Sequence, residues 1–251
     1  MAACTAKEPV SIEFAAYVHG DLANCKEGSE SLGMTDLRFY VHDIHLVSDD
    51  DELLPMSIRK DEHWQSGDVA LVDLENGAGA CLNGTNAINA LVEGTYSGGL
   101  VTGLQFQIGV PETLNHVNPL TADAPLTYTD MHWHWASGYK FFRAGLGTPN
   151  DSFFIHLGSS RCSGTIGAIE GCRSANRPFV HIKRFDPARN IVAVDLGILF
   201  NEISLNDGIN SDCQSGPVDD DCLQPFHQFG LDFQTGEAVG PATFFSSGSK
   251  K

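Results

Sequence analysis

The alternation of apolar and polar positions predicts a chain built of strands. From Val10 to Val18, Ile12, Phe14 and Ala16 fall on one face and Ser11, Glu13 and Ala15 on the other. Leu37 to Val47 reads as a longer strand, with Phe39, Val41, Asp43, His45 and Val47 on one face and Arg38, Tyr40, His42, Ile44 and Leu46 on the other. Both faces carry apolar residues, which predicts a strand covered on both sides. Further strands are expected at Leu100 to Ile108, Met131 to Arg143, Ser152 to Leu157, Phe179 to Phe185 and Ile191 to Leu196, separated by clusters of Gly, Pro, Asn and Asp. Helix is confined to single turns at Asn86 to Leu91, at Leu196 to Asn201, and after Pro225 before Gly230. Many short strands with long loops predict an all-β protein, a single β-sandwich domain over 11–245 with local disulfides, between an N-terminal tail (1–10) and a frayed C-terminal tail (246–251).

A chain of 251 residues is long enough to bury its own core without staples. Its 15 basic and 32 acidic residues give a formal charge of −17, which repels phosphate backbones and excludes nucleic acid as a natural partner. The same field gathers cations. No apolar run reaches the roughly 18 residues of a membrane helix, since Ile191 to Phe200 is interrupted by Asp195. The start, Met1-Ala2-Ala3-Cys4, has no signal-peptide core, but Ala-Ala-Cys is compatible with a lipid anchor on Cys4, with a free thiol as the alternative.

Six other cysteines remain. Cys162 and Cys172 enclose one short segment, and Cys213 and Cys222 enclose another. Neither pair has C-x-x-C spacing, so two local disulfides in an oxidising compartment are expected, leaving Cys25 to pair with Cys81.

Ten histidines are the chemistry-bearing residues. In Met131-His132-Trp133-His134-Trp135, strand periodicity puts His132 and His134 on one face and Trp133 and Trp135 on the other. Two imidazoles at i and i+2 can share a copper, zinc, iron or nickel ion, although such a pair can equally line a solvated sheet face. His42 and His45, three apart, would face opposite ways, so at most one joins a given site, and Asp43 could orient His45. His116 lies in a loop after a strand, where binding residues concentrate. His156, among apolar neighbours, reads as a satisfied structural histidine. The motifs of serine hydrolases, zincins, P-loops and dinucleotide folds are missing, and a blue-copper site would need a free cysteine ligand. No enzymatic activity is expected.

Five segments, taken in order, resemble one known family. They are Asp36-Leu37-Arg38-Phe39-Tyr40-Val41; Gly109-Val110-Pro111 through Leu114-Asn115-His116 with Ala124-Pro125-Leu126; Met131 to Phe141 as M-x-W-x-W-x-x-G-Y-K-F; His156 to Cys162 as H-L-G-S-x-x-C; and Cys213 to Cys222 with Gly230-Leu231. Together they resemble the MbnP-like periplasmic copper-binding proteins from Ser11 to Phe244. The resemblance implies a bacterial periplasmic, outer-membrane or cell-surface protein linked to methanobactin or copper starvation. It implies a mononuclear copper, Cu(I) favoured, held by histidines, and a tryptophan oxidised to kynurenine by a diheme peroxidase-like partner. Carried over residue by residue, it places ligands at His116 and at His45 or His42, with His45 preferred; His132 and His134 fall at variable positions of the motif, so a third ligand from either would be particular to this chain. Trp133 and Trp135 become the candidate oxidised tryptophans. The W-x-H pattern of some members reads here as Asp43-x-His45, without the tryptophan.

Overall fold

The computed structural model describes residues 7–25, 33–82, 84–148, 151–201, 203 and 212–250. In chain order the strands begin with β1 (Glu8–Val18), β2 (Asp21–Leu22), β3 (Gly33–Ser48), β4 (Leu53–Pro55), β5 (Ser57–Ile58) and β6 (Val69–Asp73). They continue with β7 (Leu91–Tyr96), β8 (Val101–Ile108), β9 (His132–His134), β10 (Gly138–Thr148) and β11 (Asp151–Gly158). The last are β12 (Ser160–Thr165), β13 (Ala168–Ser174), β14 (Phe179–Lys183), β15 (Asn190–Asp195) and β16 (Phe245–Ser249). Two short helices, α1 (Leu196–Leu199) and α2 (Leu223–Gln228), interrupt them.

One sheet runs β16-β15-β1-β7-β5 with β2 beside β1; the other runs β11-β10-β3-β8-β14, with β4 and β6 on β3 and β9 on β10. β12 and β13 form a separate two-stranded ribbon. The sheets face one another across an apolar core, as in a β-sandwich. Phe14 of β1 meets Phe39 of β3 and Phe106 of β8 edge-on at 5.6 and 5.9 Å, the arrangement favoured by ring quadrupoles. The fold is therefore the all-β sandwich that the sequence predicts. No described helix is long and apolar enough to cross a membrane.

β3 departs from simple alternation. Its register against β8 slips between His42 and His45, and Asp43 takes φ +51. This bulge inserts one residue and reverses the alternation on the far side. Leu37, Phe39, Val41, Ile44 and Leu46 consequently all belong to the inter-sheet core. Tyr40, His42 and His45 take the opposite face, since His42 and His45 pair with Gln107 and Gln105, two residues apart on β8. The expected separation of His42 from His45 onto opposite faces is thus corrected. The outer face is covered around Tyr40 by a second apolar cluster of Val69, Leu71, Val110, Leu126, Met131, Tyr139 and Phe141. The predicted two-sided coverage of β3 comes from this cap, made by the chain between β8 and β10.

Other expectations also change. Met131 to Arg143 is not one strand but β9, a turn and β10. Asn86 to Leu91 holds no helical turn and leads into β7. The C-terminal residues expected to fray form β16, with Asn190 to Val194 of β15 pairing Ser249 to Phe245. The N-terminal tail is shorter than expected, because Glu8 and Pro9 already pair with Tyr96 and Thr95. Cys25–Cys81, Cys162–Cys172 and Cys213–Cys222 are disulfides. The first and third are buried in the core, whereas Cys162 and Cys172 are partly exposed. Cys4 lies outside the described residues.

Candidate metal centre

The cap begins where β8 ends. Gly109 takes φ +120, and a Cβ there would sit 2.8 Å from the Phe141 ring, so only glycine allows the chain to turn so tightly over the sheet. Its N–H donates to Tyr40 O at 2.8 Å, and its carbonyl accepts from His42 Nδ1 at 2.9 Å. A single 3-10 turn, Glu112–Leu114, delivers the buried Asn115. The Oδ1 of Asn115 accepts the Tyr139 N–H at 3.1 Å. That bond fixes the amide orientation, so its Nδ2 donates to Ser137 O at 3.3 Å and to His116 Nε2 at 3.2 Å. His116 therefore carries its lone pair on Nε2, the tautomer being set by the partner. Its Nδ1 is buried and meets no hydrogen-bonding partner among the described residues.

The segment Ser137 to Tyr139 also organises the other two histidines. β9 pairs with the start of β10, His134 opposite Gly138 and His132 opposite Tyr139. His132 sets its ring edge-on to Tyr139, with centroids 5.1 Å apart. Burial lowers the pKa of His132 below the usual imidazole value, and His134, His116 and Lys140 add to the effect. The shift favours the neutral imidazole, the form in which histidine binds metals. His134 is exposed, and its Nδ1 accepts the Ala136 N–H at 3.3 Å.

A buried ion network aims β9. Asp36 accepts from Arg38 Nε at 3.0 Å and pairs with Arg143 Nη2 at 2.7 Å. Arg38 also pairs with Asp130, two residues ahead of His132. The Asp130 carbonyl accepts from Lys140 Nζ at 3.0 Å and from Arg143 Nη1 at 3.1 Å. The entry to β9 is thereby tied to β3 and β10, and Asp36 and Arg38 are almost wholly buried.

No hydrogen bond or ring contact links the preferred pair His45 and His116 among the described residues. His45 pairs across the sheet with Gln105, and its Nδ1 lies 3.2 Å from Asp43 O. The chain leaves β8 for His116 only at Gly109, four strand residues beyond Gln105. His45 instead shares a row with Gln105 and His181 across β3, β8 and β14. Sequence gave no sign of His181, because only the sheet order makes it a neighbour.

The two tryptophans also part company. Trp133 turns from the histidines, 6.2 Å from His156 and against Gly158, where a Cβ would lie 3.2 Å from its ring. Trp135 falls in the turn after β9 rather than on the face of Trp133, and its ring lies 5.3 Å from that of His134. His156 is largely buried, and its pKa falls to about 4, first by burial and then by Arg143 and Lys140. One neighbour of His116 was invisible in sequence. Cys172 Sγ lies 3.5 Å from His116 Nε2, although the two residues are 56 positions apart.

Fold and cap define a class: a disulfide-crosslinked β-sandwich whose cap carries His116, and His132 and His134 beside the first residues of one strand. The MbnP family model matches residues 7–215, and the chain belongs to the MbnP family. Its structure is similar to that of MbnP from Methylosinus trichosporium, with a TM-score of 0.84 and 26% sequence identity, over 98% of this chain and 100% of that one. No curated sequence matches the chain.

Proposed function

We propose that this is an extracytoplasmic copper-binding protein, taking Cu(I) as cargo for acquisition, storage or delivery without catalytic turnover. Membership of the MbnP family supports a methanobactin-associated, copper-related role. Three disulfides fit an oxidising compartment. The observation that carries the reading is that His132 and His134 pair with Tyr139 and Gly138 while Asn115, the residue before His116, hydrogen-bonds Ser137 and Tyr139.

The residues suit the ion. His116 presents a lone pair on Nε2. No hydrogen bond occupies the ring nitrogens of His132 among the described residues, and burial favours the neutral ring. Few imidazole ligands suit Cu(I), whereas Cu(II) prefers a fuller tetragonal shell. His116 and His132 form the core pair, and His134 joins by giving up the Ala136 N–H. The acidic surface raises the local concentration of cations. A diheme peroxidase-like partner would supply the oxidation of a tryptophan for a further, amine ligand.

Titration with Cu(I) against a chromophoric competitor tests this. The disulfide-intact protein is expected to hold one copper, and H116A/H132A to lose it while H45A keeps it. Full stoichiometric copper in H116A/H132A, or its loss in H45A alone, would sink the assignment. No uptake by the unaltered protein would make the chain a metal-free surface interaction module.

A further inference from the structure

The Cys162–Cys172 disulfide lies against His116 on a part of the molecule that neither sheet contains. Cys162 and Cys172 are directly opposed on the β12–β13 ribbon. One donor atom from each of His116, Cys162 and Cys172 lies within 4.8 Å of the other two. A tetrahedral ion with bonds of about 2.3 Å to sulfur and about 2.0 Å to nitrogen holds the two donors about 3.5 Å apart. The observed separation of Cys172 Sγ and His116 Nε2 is 3.5 Å. The imidazole already stands where a shared ion would need it, with its lone pair on that nitrogen.

We propose that reduction of Cys162–Cys172 creates a second, thiolate-rich metal site, Cys162–Cys172–His116, selective for a soft ion such as Cu(I). The proposal shares His116 with the histidine site but stands on the disulfide geometry rather than on copper binding by the oxidised chain.

The chemistry balances. A dithiol reductant attacks one sulfur, forms a mixed disulfide, and leaves as its own disulfide, delivering two electrons and two protons to yield two cysteine thiols. Binding of the ion releases those two protons as the thiols become thiolates. The sulfurs must move apart by roughly 2 Å to span a tetrahedral edge. The ribbon can supply that movement, because its strands pair only with each other. Its base is meanwhile pinned, with Arg161 Nη2 donating to Gln234 O at 2.7 Å and Ser159 Oγ donating to Ala175 O at 3.0 Å. Asn115 yields its contact with Nε2 and keeps Ser137 O.

Accessibility makes the switch selective. Cys25, Cys81, Cys213 and Cys222 are buried, so a water-borne reductant meets Cys162–Cys172 first. An exposed disulfide is the type that exchanges readily.

The test uses the full chain treated with a limiting phosphine reductant, with the opened cysteines identified by alkylation and peptide mass mapping. Cys162 and Cys172 are expected to open first. Cu(I) affinity should then rise by roughly 100-fold or more over the oxidised protein. Co(II) should produce a thiolate-to-metal charge-transfer band. C162S/C172S, or the reduced chain alkylated at those two sulfurs, should show neither change under the same treatment. Unchanged affinity and no Co(II) band on reduction would overturn the proposal, as would a band that survives C162S/C172S or earlier opening of a buried disulfide. Copper uptake by the oxidised chain reports separately on the histidine site, so either reading can fail alone.

Discussion

Asn115 and Gly138 approach so closely that a Cβ on Gly138 would lie 2.1 Å from the Asn115 carbonyl oxygen. Gly138 also takes φ +77, a conformation that costs other residues strain. This contact is what locks the His116 loop onto the start of β10. Gly138→Ala should destabilise the fold by more than about 1 kcal/mol. Asn115→Ala should cost about 1–3 kcal/mol, because the buried Tyr139 N–H loses its acceptor. It should also weaken Cu(I) binding, since the tautomer of His116 is no longer set. Urea unfolding and competitor titration read the two effects separately; wild-type copper affinity in Asn115→Ala would contradict the orienting role.

The ion network separates stability from aim. Asp36→Ala would remove the buried carboxylate between Arg38 and Arg143, leaving them the half-exposed Asp130, at a cost of up to about 3–5 kcal/mol. Asp130 is nearly half exposed, so Asp130→Asn should cost much less stability. It should still loosen the entry to β9 and lower copper affinity, by roughly 10-fold if it acts as an orienting partner. Equal loss of stability in the two variants, by chemical denaturation, would show that Asp130 is no mere guide for His132.

Much of this arrangement was legible in the sequence, and the failures have identifiable causes. The sandwich followed from period-two runs such as Ile12-Glu13-Phe14, where one face is buried and the other half-exposed. β3 misled because alternation assumes an unbroken ladder, and the bulge at Asp43 reverses the phase of everything after it. An aspartate, which tolerates a left-handed backbone, flanked by histidines three apart was the available clue. β12 and β13 carry mostly exposed residues, so burial imprints no pattern on them. β16 is held by backbone pairing to β15, which its run of serines and glycine does not disclose. The motif segments pointed to His116, and the H-x-H spacing to His132 and His134. The placement of the His116 loop against β10 depends on Asn115 reaching Tyr139, and its contact with Cys172 depends on the ribbon's path, both long-range facts.

Stability should respond to pH with two opposed signs. Burial lowers His42 and His156 to about 4. In the unfolded chain they titrate near 6.5, so between 6.5 and 4 the unfolded state binds more protons and stability falls as pH falls. Asp73 is raised by burial, then by Glu75, to about 8. The folded state keeps its proton while the unfolded state has lost it, so stability falls as pH rises from about 4 through 8. The terms partly offset below 6.5, and the Asp73 term persists above it up to about 8. Asp73→Asn should flatten the alkaline limb of a pH–stability curve, and His42→Gln the acid limb. The opposite pairing of variant and limb would refute these assignments.

The last expectation concerns which tryptophan a haem-dependent oxidant would open. Trp133 and Trp135 stand two residues apart, but only Trp135 reaches solvent appreciably, at 37% exposure, and it lies beside the His134 ring. Trp133 is packed against Gly158 and His156, away from the histidine cluster. An indole N–H donates and does not ligate, whereas the aromatic amine of a ring-opened tryptophan has a lone pair to offer. Oxidation at Trp135 would therefore add a ligand next to His134, and oxidation at Trp133 would disturb packing without serving the centre. Fragmentation mass spectrometry of the peptide containing both, after co-expression with a diheme peroxidase-type partner, should place the loss of one carbon and gain of one oxygen between His134 and Ala136. Trp135→Phe should abolish the mass change and weaken copper binding, while Trp133→Phe should keep both and lose some stability. A modified residue found between His132 and His134 instead would mean that exposure and proximity to the imidazoles do not select the tryptophan.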